Sequence, residues 1–116
     1  MILPNRIALS QNATNKLRNM KSHTGLTPNI LSRIAITKAI ETTSSLKNAG
    51  VADTEGQILS REVLFGEHEL VYEVLIQQYI YDNNIEEPIS EVISALIEIG
   101  VHKLGHVKNI QQIAAV

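Results

Sequence analysis

Three titratable side chains near the C-terminus have the spacing of a metal site. Glu98, His102 and His106 follow one another at four-residue intervals, which places them on one face of a helix. Imidazole and carboxylate groups on such a face can bind zinc. Gly105 is expected to end the helix before His106, and the sequence suggests no further ligand. We therefore predict no metal site, and interpret the histidines as solvated residues near a helix C-terminus.

Residues that could act as nucleophiles have no recognisable catalytic partners. The chain contains no cysteine, which excludes disulfides, thiolate nucleophiles and cysteine-based metal sites. Ser10 and Ser60 have no evident histidine partner, and His68 between Glu67 and Glu69 is not an HExxH motif. Walker, GxGxxG and GxSxG sequences are also missing. We predict that the protein is not an enzyme and has no cofactor.

The basic and acidic side chains are concentrated in different halves of the sequence. Residues 1–50 carry seven basic side chains and one acid, a net charge of +6. Residues 51–116 carry three basic and eleven acidic side chains, a net charge of −8. A cationic half is typical of a protein with a polyanionic partner, and an acidic half indicates a protein-facing or solubilising surface. The alternative is that the two halves attract each other within one fold.

Length and hydropathy bound the class of protein. The 116 residues, of which 44% are hydrophobic, are enough for one domain with a small core. The uncharged apolar runs are shorter than the roughly 20 residues of a membrane span, and the N-terminal residues do not resemble a signal peptide. We expect a cytoplasmic protein without a membrane partner. One Phe, three Tyr and no Trp disfavour stacking on single-stranded nucleic acid.

The first half of the chain predicts a short strand followed by two helices. Alternation over Pro4–Leu9 favours a strand, from which Arg6 and Ala8 point outward. Ser10 as N-cap and Gly25 at the C-terminus bound an amphipathic helix over 11–23. Thr27-Pro28 starts a second helix that runs to about Thr42 or Leu46. Because apolar residues cover most of its circumference, the second half of the chain or a second copy must cover it on more than one side.

The second half of the chain predicts a loop and two longer helices. Residues 51–56 form the loop, and 58–65 form a short strand or an irregular segment that ends at Gly66. Apolar residues recur at helical spacing over His68–Tyr81, and Pro88 begins a helix that Gly105 closes. The helical stripe of the earlier segment consists of Leu70, Val71, Val74, Leu75 and Tyr79. We predict a mainly α single domain over 1–116, with a basic part, 1–48, and an acidic helical part, 51–116.

A strand followed by a helix ending in glycine and a Thr-capped helix is the element order of ribbon-helix-helix DNA-binding proteins. Three further groups of residues narrow the resemblance: Pro4-Asn5-Arg6-Ile7-Ala8-Leu9-Ser10; Thr24-Gly25-Leu26-Thr27-Pro28-Asn29 followed by Arg33-Ile34-Ala35; and Leu64-Phe65-Gly66-Glu67. Together with the C-terminal helices, they resemble the DndE family of DNA sulfur-modification proteins. The resemblance spans essentially the whole chain.

The DndE resemblance implies association with DNA, membership of a phosphorothioation complex, and self-assembly into a dimer or tetramer. That family's system replaces a non-bridging phosphate oxygen of DNA with sulfur. Sulfur relay ordinarily passes through a cysteine persulfide, and activation by ATP requires a phosphate loop. Since this chain has neither, we expect ATPase and sulfur-transferring partner subunits to perform the chemistry. This chain would hold duplex DNA, intact or nicked, hold its partners, or do both.

A ribbon-helix-helix repressor or antitoxin is the alternative function. Its acidic second half would bind a toxin, but residues 51–116 are patterned to fold, whereas antitoxin tails are often short and disordered. Of the outward strand residues, only Arg6 can hydrogen-bond a base edge, which favours binding to the DNA backbone over sequence-specific recognition.

The basic residues of the first half are the candidate DNA contacts. Lys16 and Arg18 lie roughly 200° apart around their helix, so they belong to different faces. Arg33, on a nearly apolar helix, is the one most suited to a structural role. The helix N-termini at Ser10 and Thr27 offer free N–H groups to phosphate. The predicted DNA-binding set is Arg6, Lys16, Arg18, Lys21, Arg33, Lys38 and Lys47.

Overall fold

The computed structural model describes residues 3–115, without the side chains of residues 110, 114 and 115. Two short strands and six helices make up this part of the protein. Met1, Ile2 and Val116, which the predicted domain and tail include, lie outside the described residues. The elements are β1 (Arg6–Ala8), α1 (Gln11–Thr24), α2 (Pro28–Thr42), β2 (Ile58–Ser60), α3 (Arg61–Phe65), α4 (Glu69–Asp82), α5 (Ile89–Leu104) and α6 (Ile110–Ala115), with a 3₁₀ turn (Gly66–His68) before α4.

Local signals set most of the helix ends. The Ser10 hydroxyl accepts a hydrogen bond from the Ala13 N–H at 3.0 Å and so caps α1. Gly25 ends this helix with φ of 77°, a conformation that disfavours side chains with a Cβ. At α2 the helix ends at Thr42, the earlier of the two predicted ends, where the Thr43 N–H donates to the Ala39 carbonyl.

The two strands pair antiparallel within the chain. Ile7 lies opposite Leu59, and the Leu9 N–H donates to the Gln57 carbonyl at 2.9 Å. Residues 5, 7 and 9 therefore form the hydrogen-bonded pairs, and residues 6 and 8 direct their main-chain groups away from β2. Arg6 is exposed while Ile7 and Leu9 are buried, which confirms the predicted alternation. The ribbon that a ribbon-helix-helix protein builds from two copies is here formed by segments of one chain.

One continuous core joins the basic and acidic halves. It runs from Leu3 to Val107 and includes residues of every strand and of the helices α1 to α5. Helix α2 is covered most extensively by α5, and further by α1 and α3. The predicted multi-sided burial of α2 is therefore supplied within the chain, mainly by α5 and α3 of its second half and also by α1 of its first half. Within residues 3–115, the helices fall short of the length and apolarity that a bilayer span requires.

The segment over 58–65 is half strand and half helix. Ser60 ends β2 and also caps α3, since its hydroxyl accepts from the Val63 N–H at 3.3 Å. Gly66, with φ of 55°, ends α3 at the predicted position.

The apolar stripe of α4 is the main departure from the sequence pattern. Tyr79 is buried, but Leu70, Val71, Val74 and Leu75 face solvent. The core side of the helix is formed instead by Ile76 with Tyr79, so most of the predicted stripe is unpacked within the described residues.

Candidate nucleic-acid interface

Arg18 and Lys21 of α1 line a groove of about 480 Å³, here named the Arg18 groove. Both side chains are exposed, and their three-residue spacing places them on one side of the helix. The other residues that line the Arg18 groove are Gln11, Thr14, Pro28, Gly56 and Gln57. The groove therefore combines two cations with amide donors and contains no carboxylate among these residues.

A close approach of the loop before β2 forms one wall of the Arg18 groove. The Gln57 N–H donates to the Thr14 hydroxyl at 2.8 Å. A Cβ on Gly56 would lie 2.2 Å from the Thr14 Oγ1 atom and 2.3 Å from the Ser10 carbonyl oxygen, so this position requires glycine. Asp53 joins the same loop to α1, because its carboxylate accepts from the N–H groups of Glu55 and Gln11, each at 3.0 Å.

These hydrogen bonds lower the pKa of Asp53 below its ordinary value, the Glu55 N–H most and the Gln11 N–H next. Above that ordinary value the ionised carboxylate favours the folded state, and the contribution is lost as the pH falls through the lowered pKa. The loop that borders the Arg18 groove is therefore held by an ionised side chain at neutral pH. Elsewhere, burial raises the pKa of Tyr79, whose buried hydroxyl has no hydrogen-bond partner among the described residues.

The N-terminus of α2 opens beside the same groove. Pro28, its first residue, lines the Arg18 groove, while the Thr27 hydroxyl makes no capping hydrogen bond. The first turns of α1 and α2 contain no acidic residue. The first N–H groups of α2 thus have no carboxylate competitor, and the helix dipole adds a partial positive charge there. A phosphate placed at Pro28 would meet helix N–H groups and two cationic side chains.

Arg6 and Lys47 lie together in a second groove, of about 720 Å³, here named the Arg6 groove. It runs between β1 and the N-terminal half of α5, and Glu87 and Glu91 line it as well. The Ser94 hydroxyl donates to the Ala8 carbonyl across this groove at 2.8 Å. Because two carboxylates oppose two cations, the Arg6 groove has little net charge and is less suited to a polyanion than the Arg18 groove.

The remaining basic residues of the predicted DNA-binding set contact other parts of the fold. Lys38 is partly buried and its ammonium lies 3.9 Å from the Glu41 carboxylate. The Arg33 guanidinium packs near Gly66, after α3, and is half-buried. Lys16 lies on the other flank of α1, where its ammonium is 3.5 Å from the His102 Nδ1 atom. Arg18 with Lys21, Arg6 with Lys47, and Lys16 therefore occupy three separate places.

The predicted stripe of Glu98, His102 and His106 is divided among different contacts. Glu98 is only 5% exposed and accepts hydrogen bonds from the Ser10 hydroxyl at 2.5 Å and the Asn12 amide at 3.4 Å. His102 faces Lys16, and His106 follows the end of α5. Across the described part of the chain, His, Asp and Glu form no group of three or more that could hold a metal ion. Glu98 instead places a carboxylate against the N-terminus of α1.

Sequence reasoning missed several parts of these surfaces. Gln11, Gly56 and Gln57 meet only because β2 pairs with β1, a contact between segments more than 40 residues apart. A glycine that ends a loop just before a strand was the one local signal available. The packing of α5 against α2 is likewise a long-range contact, for which the sequence has no local signal.

Comparisons with known proteins agree with this architecture. A family model described as DNA sulphur modification protein DndE matches residues 6–112. The crystal structure of DndE from Escherichia coli B7A, involved in DNA phosphorothioation modification, superposes with a TM-score of 0.75 at 26% identity, over 90% of this chain and 99% of that chain. A glycine-to-lysine mutant of DndE involved in DNA phosphorothioation gives a TM-score of 0.71 at 25% identity, over 89% of this chain and 99% of that chain. No curated protein sequence matches at a significant level.

The fold is thus a mainly helical one with a ribbon-helix-helix-like start, shared with proteins of DNA phosphorothioation systems. The chain belongs to the DndE family, as the residues of β1, the α1–α2 junction and the end of α3 had indicated.

Proposed function

We propose that this protein is a non-catalytic subunit that holds the DNA backbone for a phosphorothioation complex, largely without sequence specificity. The observation that carries the proposal is the Arg18 groove, where Arg18, Lys21 and the uncapped N-terminus of α2 converge. Cationic side chains and free helix N–H groups bind phosphate oxygens whatever the base sequence. Duplex DNA, intact or nicked, presents this chemistry along both strands.

Recognition of the base sequence has little support from the residues of the two-stranded ribbon. The ribbon carries only Arg6 and Ala8 as outward residues of β1, and Arg6 lies in a groove with two carboxylates. A ribbon-helix-helix repressor or antitoxin reads its operator with a ribbon made from two copies. Here β1 is already paired with β2, so backbone binding is the better supported of the two functions.

Chemistry on the DNA is assigned to partner subunits in this proposal. Sulfur transfer through a persulfide needs a thiol, and the chain has no cysteine. An ATPase and a sulfur-transferring subunit would act on the DNA that this protein holds. Acidic residues outnumber basic ones by eleven to three in 51–116, and this excess of negative charge is suited to protein partners rather than to DNA.

Self-assembly is part of the same proposal. Leu70, Val71, Val74 and Leu75 lie on one exposed side of α4, here named the α4 face. Each of these side chains is between 38% and 71% exposed. A contiguous apolar patch on a monomer marks an interaction surface, and a second copy of the chain would cover it in a dimer or tetramer.

The test of DNA holding replaces both cations of the Arg18 groove. An Arg18→Gln, Lys21→Gln double variant should weaken binding to a 20-base-pair duplex by about tenfold or more and lower the salt slope by about two, because each phosphate contact releases close to one counterion. Fluorescence anisotropy at several salt concentrations measures both quantities.

Lys108→Gln is the matched control, since Lys108 is an exposed lysine outside the Arg18 groove and the Arg6 groove. Equal affinities and equal salt slopes for the double variant and the control would contradict the assignment of DNA to the Arg18 groove.

A further inference from the structure

A separate polar pocket lies on the opposite flank of α1 from the Arg18 groove. It has a volume of about 430 Å³ and is lined by the loop after α2 and by the last turn of α5. We name it the His102 pocket, after the residue that joins it to α1 through Lys16. The DNA-holding proposal makes no use of it.

Basic side chains lie along the α5 side of the His102 pocket. His102 and Lys103 line it directly. The Lys16 ammonium, at 3.5 Å from the His102 Nδ1 atom, holds the imidazole from the α1 side. The Lys103 ammonium on the lining and the Lys16 ammonium behind His102 give this side of the pocket a positive charge.

Hydroxyl groups supply the other wall. Thr43 and Ser44 line the pocket, and their hydroxyls make no hydrogen bond within the part of the chain that the structure describes. The Ser45 hydroxyl accepts from the Lys47 N–H at 3.3 Å, which leaves its own proton available to donate. Three hydroxyl donors therefore line the pocket together with Lys103 and His102, and Lys16 lies behind His102.

Carboxylates are kept away from this pocket. None of its lining residues is acidic. Glu41, just before the hydroxyl-rich loop, lies 3.9 Å from the Lys38 ammonium. Glu98, one turn before His102, is buried and hydrogen-bonded to Ser10. The nearby acids thus have partners of their own, and a bound anion would meet donors rather than like charge.

We infer that the His102 pocket binds a phosphate group. A phosphate offers several acceptor oxygens and a charge near −2, which match hydroxyl donors and ammonium groups. The pocket lies at the C-terminal ends of both α2 and α5, whose carbonyls weaken the attraction, so we expect a dissociation constant for free phosphate on the order of 1 mM. The phosphate could be a backbone phosphate of a DNA strand or the terminal phosphate of a nucleotide.

Inorganic phosphate is the probe for the pocket itself. Titrated into ¹⁵N-labelled protein at constant ionic strength, it should shift the amide resonances of Ser44, Ser45 and His102 in a saturable manner, and sodium chloride should not. Lys103→Gln should raise the dissociation constant about fivefold or more, whereas Lys108→Gln should leave it unchanged. Unchanged resonances far from the pocket verify that each variant is folded.

The outcomes separate this inference from the proposed DNA function. Saturable shifts that persist in the Arg18→Gln, Lys21→Gln variant support an independent phosphate site. No saturable shift, or equal behaviour of Lys103→Gln and Lys108→Gln, would overturn it.

Two further ligands then distinguish the source of the phosphate. If a short duplex binds the Lys103→Gln variant more weakly than it binds the wild type, the pocket binds a DNA backbone phosphate. If the Lys103→Gln variant binds ATP more weakly than the wild type does but binds the duplex equally well, the phosphate belongs to a nucleotide.

Discussion

Ser10 connects the two halves of the protein through one hydroxyl group. Its oxygen accepts from the Ala13 N–H and its proton is donated to Glu98, 88 residues away. Its carbonyl accepts from the Thr14 hydroxyl, which in turn accepts from the Gln57 N–H. A single N-cap thereby fixes α1, α5 and the loop before β2, the elements on which the Arg18 groove depends.

Replacing this hydroxyl tests the connection. Ser10→Ala should lower the free energy of unfolding by about 1–3 kcal/mol, because it removes an N-cap and leaves a buried carboxylate without its best donor. Urea denaturation followed by circular dichroism measures the change. Ser60→Ala is the matched control, since Ser60 caps α3 with a single 3.3 Å hydrogen bond and touches no buried acid. An equal or smaller loss for Ser10→Ala than for Ser60→Ala would contradict the network.

Residue-scale features were predictable only where the signal is local. Ser10 as an N-cap, Gly25 as a helix end and the outward position of Arg6 follow from neighbouring residues, and the structure has each of them. The partnership of Glu98 with Ser10 did not follow, because a four-residue spacing with two histidines is compatible with both a metal site and unrelated contacts. Only the packing of α5 on α1 decides between them.

Helix α2 lies directly against α5, and Gly100 permits the contact. A Cβ on Gly100 would lie 2.0 Å from the Ala35 carbonyl oxygen and 2.5 Å from the Ala35 Cα atom. Since both are backbone atoms, no side-chain rotation can relieve the overlap. This contact brings the acidic half of the chain onto the helix whose N-terminus faces the Arg18 groove.

Gly100→Ala should therefore destabilise the protein by about 1–3 kcal/mol or more, as overpacking does in other cores. Gly105→Ala is the matched control: the added Cβ would meet atoms no closer than 3.5 Å, and the φ of −61° suits alanine. We expect that variant to be neutral or more stable by about 0.4–1 kcal/mol. Thermal unfolding of the pair measures the difference, and equal midpoints would disprove the close packing.

For the helices, the periodicity of apolar residues predicted which segments are helical better than it predicted which side of each helix is exposed to solvent. Apolar residues around most of α2 predicted cover on several sides, which α1, α3 and α5 provide. The same reasoning placed Leu70, Val71, Val74 and Leu75 of α4 on one stripe, but they are exposed. A helical pattern identifies the stripe without saying whether its partner belongs to the same chain. The sequence did not predict that 58–65 divides into β2 and α3, because Ser60 is both the last residue of the strand and the N-cap of the helix.

The whole molecule combines a cationic groove with an apolar face that is exposed to solvent within residues 3–115. Self-assembly through the α4 face would place several Arg18 grooves in one particle. Several linked sites on one DNA molecule raise the overall affinity through effective concentration, without any new contact. Assembly and DNA holding are therefore coupled in this account.

Disrupting the α4 face should separate self-assembly from DNA holding. A Leu70→Asp, Val74→Asp double variant should sediment as a smaller species than the wild type, because two charges would be buried in the interface. Its affinity for long DNA should fall more than its affinity for a duplex that spans one groove. Analytical ultracentrifugation measures the size, with Gln111→Asp as a control at an exposed position of α6, away from the α4 face. An unchanged sedimentation coefficient would exclude this face as the assembly surface.

The charge pattern of the sequence predicted a polyanionic partner, and the family resemblance named DNA. Family membership is now shown, while the choice among the seven cations rests on the grooves that the fold creates. Sequence alone could separate Lys16 from Arg18 by helical geometry. It could not pair Arg18 with Lys21 and the N-terminus of α2, since that requires the turn between α1 and α2.

The most direct test of DNA holding is a salt titration of the unmodified protein on duplexes of unrelated sequence, intact and nicked. We predict equal affinities across base sequences and a linear fall of log K with log salt, with a slope of about −0.9 for each phosphate contacted. A duplex that binds a hundredfold more tightly than the others would favour a sequence reader, and absence of binding to any duplex would contradict the account.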